Sequence, residues 1–364
     1  MNVAGIYIDS LSIHSIWGLA GKTSPVNQQE NYKSRDMILS LEDTISPLTG
    51  HSFSRLGSHK VCSNFLPFIG SNKTWGSGKS EITADHALEF FLVQLFAQMP
   101  SETKFAFSLP LYLTPKQIRR IEQIASKIGM QVQGSLTSAT ALAMGHSRKS
   151  QTVCNCLAVE IDGFGLSLSH VQINGGVAHL LAGKIFPEFG LERWILKLAD
   201  FIAEKAILHC RKDPRVKSDT DQALFLQAQK LMSSIGTRPS FKVVLEEEFW
   251  SQEFVITQAD LKRCFSAMFA SLKLQIKDFI RHKIAPTEDI HLALAQNIGA
   301  VPGLTAFFAK AVAGGSYPAD SPEDLFHQSF ICSNAMLMAG QWWFDSIGAS
   351  SMAQYRNPII AGKV

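Results

Sequence analysis

The alternation of apolar and polar positions is most regular between Phe105 and Gly145. Residues 105–109 are a short apolar run, which is typical of a buried strand. Thr114 then suits the N-cap of a helix whose isoleucines recur every three or four residues. A brief strand at 130–132 and a helix of small residues from about Ser138 complete the unit. This succession of strand, helix, strand and helix predicts an α/β domain.

Each half of the chain opens with an apolar strand, an aspartate, a turn and a second strand. In the first half these are a strand at 3–8, Asp9, a polar turn at 10–15 and a strand at 16–19. In the second half they are a strand at 156–161, Asp162, a glycine-containing turn and a strand at 166–173. The repeat is weak, and both internal duplication and coincidence are compatible with it.

The rest of the chain alternates between helical and strand periodicity. Predicted helices cover 83–98 with Asp85 as its cap, 191–209, 220–234, 257–281, 301–312 and 325–339. Predicted strands cover 177–182, 241–246, 254–256 and 290–294. The polar stretch 21–35 is predicted to be loop, and the Ser-, Gly- and Asn-rich region 40–79 allows no assignment.

Composition and charge narrow the possible partners. The 364 residues suffice for two domains or one large duplicated domain, and 46% hydrophobic residues are ample for a core. The net charge of +3 provides no basic face for nonspecific nucleic-acid binding, so we expect no nucleic-acid partner.

We expect neither a targeting segment nor a membrane span. The first residues, MNVAGIYIDS, lack a charged region followed by a long apolar run. No window approaches the roughly 18 uninterrupted apolar residues that a transmembrane helix needs. The six cysteines lie mostly in apolar stretches, which favours reduced core residues over a disulfide framework. A cytoplasmic location is therefore expected.

Seven segments, in order along the chain, resemble the nucleotide-binding domain of DnaK-type heat-shock chaperones, which belongs to the actin/hexokinase-like superfamily. They are SLPLYLTPKQIRRIEQIASKIGM, SLTSATALAMG, AVEIDGFGLSLSHVQINGGVAHLLA, ALFLQAQKLMSSIGTRPSFKVVL, ITQADLKRCFSAMFASLKLQIKDFI, IHLALAQNIGAVPGLTAFFA and SPEDLFHQSFICSNAMLMAG. No single motif is intact, so the resemblance depends on the order and spacing of the seven. It covers nearly the whole chain, and the family's substrate-binding domain has no counterpart in it.

The resemblance implies an α/β, actin-like ATPase fold with two ribonuclease-H-like lobes flanking a central cleft. The first lobe would cover 1–150 and the second 151–340, with a helical and hairpin subdomain at about 191–281. The remaining 341–364 would form a C-terminal tail, in which Trp342, Trp343 and Phe344 are either packing residues or a partner site. The ligands implied by the family are ATP or ADP with Mg²⁺.

The family cradles phosphates with two turns rich in glycine and threonine, each with an aspartate that holds Mg²⁺ through water. Carried over position by position, the nucleotide-binding candidates are Asp9, Ser12, Ser15, Asp162, Gly165, Ser167, Lys230 and Ser233. Asp9 and Asp162 are also the metal candidates. A simpler interpretation is that these two aspartates only terminate strands.

The same positions also depart from the family. Leu11, Ile13, Phe164 and Leu166 replace glycines or a threonine of the two turns, and Leu136 stands where the family has its catalytic glutamate. The family's catalytic lysine would fall near Leu66, so either this lysine is missing or Lys73 or Lys79 takes its place. Because phosphoryl transfer depends on positioned charge, a site without these groups should not hydrolyse ATP. No catalytic residue is assigned. The cleft either holds no nucleotide or binds ATP or ADP with Mg²⁺ without turnover.

Three functions follow in order of preference. The first is a pseudo-ATPase that acts by binding another protein, whose identity the sequence does not give. The alternative is a slow or atypical ATP-binding ATPase that acts as a chaperone-like switch. A small-molecule kinase of the same superfamily ranks last. The segment 76–80, GSGKS, looks like the end of a P-loop but lacks the earlier glycine, so we interpret it as a loop.

Overall fold

The computed structural model describes residues 2–312 apart from 20–31, 42–44, 49–59, 101, 148–153, 175–176, 235–239, 248–249 and 285–289. Its strands are β1 (Asn2–Ile8), β2 (Ser12–Leu19), β3 (Tyr32–Asp36), β4 (Leu39–Ser40), β5 (Ser46–Pro47), β6 (Val61–Cys62), β7 (Thr74–Trp75), β8 (Ile82–Thr83), β9 (Lys104–Leu109), β10 (Gln131–Thr137), β11 (Cys154–Ile161), β12 (Leu166–Asn174), β13 (Val177–Phe186), β14 (Ser240–Glu247), β15 (Trp250–Thr257) and β16 (Ile290–Leu294). Its α-helices are α1 (Ala84–Phe96), α2 (Pro115–Lys127), α3 (Ser138–Ser147), α4 (Leu191–Cys210), α5 (Ser218–Ser234), α6 (Gln258–Lys283) and α7 (Leu304–Val312). The described part is therefore a mixed α/β protein.

The first large sheet has the strand order β10-β9-β1-β2-β3. β1 is antiparallel to β2 and parallel to β9, and β9 is parallel to β10. Ile6 and Ile8 lie on either side of the more exposed Tyr7 and are fully buried. The polar turn predicted at 10–15 is wrong beyond position 11, because Ser12 already pairs with Asp36. The loop predicted at 21–35 is wrong over 32–35, because these residues belong to β3 at the sheet edge.

The helices of this half begin where local capping chemistry places them. Thr114 and Gln117 form a reciprocal capping box at the start of α2, as the sequence predicts for Thr114. The N-cap of α1 is Thr83, whose hydroxyl accepts from the His86 N–H. The prediction of Asp85 as the cap is wrong, because its carboxylate instead accepts from the Gly70 N–H and the Arg120 guanidinium.

The second large sheet has the strand order β13-β12-β11-β16. β11 is antiparallel to β12 and parallel to β16, so it occupies the position that β1 has in the first sheet. β13 extends to Phe186, four residues beyond its predicted end. Similarly, β10 continues to Thr137, well past the brief strand predicted at 130–132.

The segment after β13 forms helices α4 and α5, the hairpin β14–β15 and the long helix α6. Thr257 and Asp260 make a capping box at the start of α6, which covers most of the helix predicted at 257–281. β16 then returns to the second sheet, and a 3₁₀ turn at Gln296–Ala300 leads into α7. The helix predicted from 301 begins only at Leu304, because Gly303 has a left-handed φ of 78°.

Three hydrophobic clusters hold the described part together. One lies around the first sheet with α1 and α2, and a larger one joins the second sheet to α4, α5, α6 and α7. The third joins α3 to the opposite face of the second sheet through Ala139, Leu142 and Ala143. The buried free thiols of the described part agree with the expectation of reduced core cysteines; they belong to Cys62, Cys156 and Cys264. The predicted helix 325–339, the tail with Trp342 and the domain limits near 150 and 340 lie outside the described residues.

Candidate functional site

The two turns predicted to cradle phosphates lie against each other. Asp9 follows β1 and Asp162 follows β11, so equivalent ends of the two large sheets meet. The Ser10 N–H donates to Asp162 Oδ2 at 3.1 Å, and the Phe164 N–H donates to Ser10 Oγ at 3.1 Å. The paired residues are 152 and 154 positions apart in sequence. Tertiary structure thus brings together the two aspartates that the sequence places in separate halves.

The Asp9 carboxylate is bonded mainly within its own turn. Its Oδ1 accepts from the Leu11 N–H at 2.7 Å, the Ser12 N–H at 2.7 Å and Ser12 Oγ at 3.2 Å. Its Oδ2 accepts from Asn297 Nδ2 at 3.2 Å. Asn297 comes from the 3₁₀ turn at Gln296–Ala300, so a residue of the second half reaches the first turn.

The Asp162 carboxylate repeats this arrangement. Its Oδ1 accepts from the Phe164 N–H at 2.9 Å and the Gly165 N–H at 3.0 Å. Its Oδ2 accepts from Tyr112 Oη at 2.7 Å in addition to Ser10. Each aspartate therefore accepts at least four hydrogen bonds from protein donors, which is about the number of lone pairs a carboxylate offers. The arrangement does not fit a Mg²⁺ held through water by these two side chains.

The side chains that replace the family's turn glycines form contacts between the two halves. Leu11, from the first turn, is 6% exposed and packs into the hydrophobic cluster of the second sheet. Phe164, from the second turn, packs on Tyr112 with ring centroids 4.7 Å apart. Each turn thus inserts a side chain into the other half.

The cavity beside the second turn is small. It has a volume of about 10 Å³ and is lined by Tyr112, Glu160, Asp162, Gly165 and Ser167 among others. That volume is of the order of a single water molecule. Pockets that hold nucleotide-sized ligands are typically about 300–1,000 Å³. This cavity is therefore too small to hold a nucleotide phosphate chain.

Glu160 is a site residue that the sequence interpretation missed. It lies on β11 two residues before Asp162, so the two side chains share a face of the strand. Glu160 is 8% exposed, and its Oε2 has no hydrogen-bond partner among the described residues. The available signal was a single charged residue within the otherwise apolar strand predicted at 156–161. We call Asp9, Glu160 and Asp162 together the carboxyl cluster.

Burial dominates the electrostatics of the carboxyl cluster. The pKa of Glu160 is raised to about 7, mainly by burial, with the Ser138 hydroxyl opposing this shift and the charges of Asp162 and Asp9 adding to it. Burial also raises the pKa values of Asp9 and Asp162, although hydrogen bonds from the turn N–H groups oppose the shift. Three crowded carboxyls favour uptake of a proton over binding of a phosphate anion.

Tyr112 is the donor that the second turn recruits from the first half. Its pKa is raised by burial and by the charge of Asp162, so its hydroxyl stays protonated. It therefore donates to Asp162 throughout the neutral range. Tyr112 follows β9 in the segment that the sequence identified only as the approach to α2.

His14 extends the first turn along β2. Its Nε2 lies 2.6 Å from Ser12 Oγ, and its ring lies 5.7 Å from the Tyr7 ring. Burial lowers the pKa of His14 to about 4, against the attraction of Asp36. The imidazole is therefore neutral near pH 7 and brings no positive charge to this turn.

The structure separates the remaining candidates into two groups. Gly165 and Ser167 line the cavity beside the second turn. Ser15 is buried on the face of β2 that carries the core residue Ile13, away from that cavity. Lys230 and Ser233 both belong to α5, and that helix contributes none of the described residues that line the cavity.

Two kinds of feature are absent from the described residues. Within the described ranges, no group of three or more His, Cys, Asp or Glu side chains has an arrangement that could hold a metal ion. The same part of the chain has no helix that is both long enough and apolar enough to cross a membrane.

No protein-family model and no curated protein sequence matches the chain.

Proposed function

We propose that this protein is a pseudo-ATPase with an actin-like fold, similar to the nucleotide-binding domain of DnaK-type chaperones, which acts by binding another protein. The observation that carries the proposal is the use of both phosphate turns as a contact between the halves. Leu11 and Phe164 each pack against the opposite half, and the two aspartates accept hydrogen bonds from protein donors. A cytoplasmic setting and a protein partner belong to this proposal.

The sheet topology supports the proposed fold. When the strands are numbered within each large sheet, the orders are 3-2-1-4-5 and 3-2-1-4. In both sheets strand 1 is antiparallel to strand 2 and parallel to strand 4. A mixed sheet of this kind in each half is what two ribonuclease-H-like lobes require. In both halves the aspartate follows strand 1, which is where the family places its phosphate turns.

The chemistry of the turns supports the loss of nucleotide binding. A cradle for phosphates needs N–H groups that point at the ligand. Here the N–H groups of Leu11 and Ser12 donate to Asp9, and those of Phe164 and Gly165 donate to Asp162. A phosphate would have to displace these bonds and approach three carboxyls.

One observation favours the alternative, a slow or atypical ATPase that acts as a switch. Asp9 and Asp162 are both retained, and they lie on opposite sides of a contact between the halves. If the halves separated, the two turns would face an open cleft. The two functions differ in whether nucleotide binds at all.

The test is thermal unfolding of the full chain with and without millimolar ATP and Mg²⁺. We expect no change in Tm. A ligand at a hundredfold excess over its Kd adds about 2.7 kcal/mol, which would raise Tm by several degrees. An increase of that size would refute the pseudo-ATPase proposal.

The location of any binding can be decided with two variants. Asp162→Asn alters the second turn, whereas Glu188→Gln changes an exposed carboxylate outside the site. An increase in Tm that is lost only in Asp162→Asn would establish nucleotide binding at the cleft and support the alternative.

A further inference from the structure

A second concave surface lies between α6 and α7, outside the carboxyl cluster. It has a volume of about 320 Å³, which is in the range of pockets that bury a bound group. Its lining includes Leu261, Phe265 and Phe269 of α6 and Ala306 and Phe307 of α7. We call this surface the α6–α7 groove.

The floor of the groove is a connected set of aromatic rings. The Phe269 and Phe307 ring centroids are 5.1 Å apart, and Trp194 lies 5.1 Å from Phe269 and 5.3 Å from Phe265. Phe265 and Trp194 are almost completely buried, whereas Phe269 and Phe307 are only partly covered. The rigid inner rings thus hold two outer rings whose surface faces the groove.

The spacing of the lining residues gives the groove its shape. Positions 258, 261, 262, 265 and 269 form one stripe of α6, while 303, 306, 307 and 310 form a stripe at the start and along one side of α7. The α6 stripe extends over twelve residues, or about 16 Å at 1.5 Å per residue, and the α7 stripe is shorter. A groove with a helical wall of this length suits an amphipathic helix of about three turns.

The charged side chains among the described lining residues of the groove are all basic. Lys262 and Lys310 are exposed and lie one on each wall, and none of the described lining residues is an aspartate or glutamate. The nearest carboxylate along α6, Asp260, is paired with Lys205 at 2.9 Å and Arg263 at 2.8 Å. A bound helix would therefore meet an aromatic floor between two ammonium groups.

We infer that the α6–α7 groove binds an acidic amphipathic helical segment of a partner protein. Leucine or phenylalanine side chains of the segment contact Phe269 and Phe307. Its glutamates or aspartates lie beside Lys262 and Lys310. Such a segment is complementary both to the apolar floor and to the basic walls of the groove. A basic helix would be repelled by the two lysines, and a neutral apolar strand would leave them unpaired with the ligand. The inference goes beyond the proposed pseudo-ATPase function and stands on the groove alone.

The test uses the full chain and two fluorescein-labelled 14-residue peptides. Both carry leucine at positions i, i+3, i+4 and i+7; one has glutamate and the other lysine at its polar positions. We expect the glutamate peptide to bind at least tenfold more tightly by fluorescence anisotropy, and its affinity to fall with salt. Lys262→Glu with Lys310→Glu should remove this preference.

The matched control is Lys273→Glu with Lys277→Glu, which makes the same charge change at exposed positions of α6 outside the groove. The control should bind the glutamate peptide within about twofold of the wild type. Ala306→Glu, at an exposed lining position, should weaken binding of the glutamate peptide at least tenfold. All five substituted residues are exposed, so folding should be preserved.

Several results would overturn the inference. They are no binding of the glutamate peptide, equal binding of both peptides, or equal loss in the groove and control variants. Binding of the chain to phosphatidylserine vesicles without binding of the glutamate peptide would assign the groove to a membrane surface instead. Dimerisation that Ala306→Glu abolishes, again without peptide binding, would assign it to a second copy of the chain. None of these results depends on ATP, so failure here and failure of the pseudo-ATPase proposal are separate.

Discussion

At the residue scale, Glu160 is a buried side chain whose protonation changes near neutral pH. Its carboxyl is buried beside Asp162 and Asp9, and its pKa is about 7 in the folded protein against 4.5 for an ordinary glutamate. The folded state therefore binds a proton that the unfolded state has already released between these pH values. Stability from this group is fully present below pH 4.5 and is lost as pH rises from 4.5 through about 7.

We predict that Glu160→Gln removes this pH dependence. At pH 5 the variant and the wild type should unfold with free energies that differ by no more than about 1 kcal/mol. At pH 8 the variant should be more stable by up to about 3 kcal/mol, since one pKa unit corresponds to about 1.4 kcal/mol. Urea unfolding at both pH values measures the difference.

Glu188→Gln is the control, because Glu188 is exposed. The lowered pKa of His14 acts in the opposite direction, since its stability contribution is lost as pH falls from 6.5 toward 4. That contribution is common to variant and wild type and cancels in their difference. A difference that stays constant from pH 5 to 8 would show that Glu160 does not titrate in this range.

At the element scale, the start of α4 fixes the second turn. Gly190 precedes α4, and a Cβ atom there would lie 2.7 Å from Gly163 O and 2.8 Å from Phe164 C. The Leu191 N–H also donates to Asp162 O at 2.7 Å. The helix thus packs against the backbone of the turn so closely that only hydrogen fits at position 190.

We predict that Gly190→Ala destabilises the protein by roughly 1–3 kcal/mol, because backbone atoms must move to accept the methyl group. Gly299→Ala is the matched control, since a Cβ at Gly299 meets nothing within 4 Å. Chemical denaturation of both variants checks this. Equal stability of the two would mean that the turn can shift without cost.

At the scale of the whole molecule, the two halves are coupled by exchanged side chains. Leu11 of the first turn is buried in the cluster around the second sheet and α4. Leu111, which follows β9, packs against Gly183 of β13 so closely that a Cβ there would lie only 2.6 Å from its Cδ2. With the hydrogen bonds at Ser10 and Tyr112, these contacts couple the first half to the second across their central surface.

We predict that Leu11→Ala lowers stability by about 2–5 kcal/mol, as expected for a buried leucine. Hydrogen exchange should become faster in β11 and α4, although the substitution is in the first half. Leu208→Ala, at a position 82% exposed, should change neither quantity appreciably. Faster exchange confined to β1 and β2 would contradict the coupling of the halves.

Most helices and strands were predictable because the patterns that specify them lie within a few neighbouring residues. The capping boxes at Thr114 and Thr257 depend on residues close in sequence, as does the apolar strand β16, which matches its predicted range of 290–294. The predictions of secondary structure are wrong where strand pairing makes a polar segment extended. β3 and the start of β2 are polar segments that become strands only because a neighbouring strand supplies hydrogen bonds.

The sequence by itself determined the positions of most helices and strands, the mixed α/β class and the two aspartates that end the first strand of each half. These depend on periodicity and capping within a few residues. Only the tertiary structure decided which groups surround these two aspartates and donate hydrogen bonds to them. Their partners Tyr112 and Asn297 come from distant segments, and their neighbour Glu160 lies on a strand whose facing residues no local pattern reveals. Contacts across 50 to 288 residues depend on how the sheets pack, and packing is a property of the whole chain.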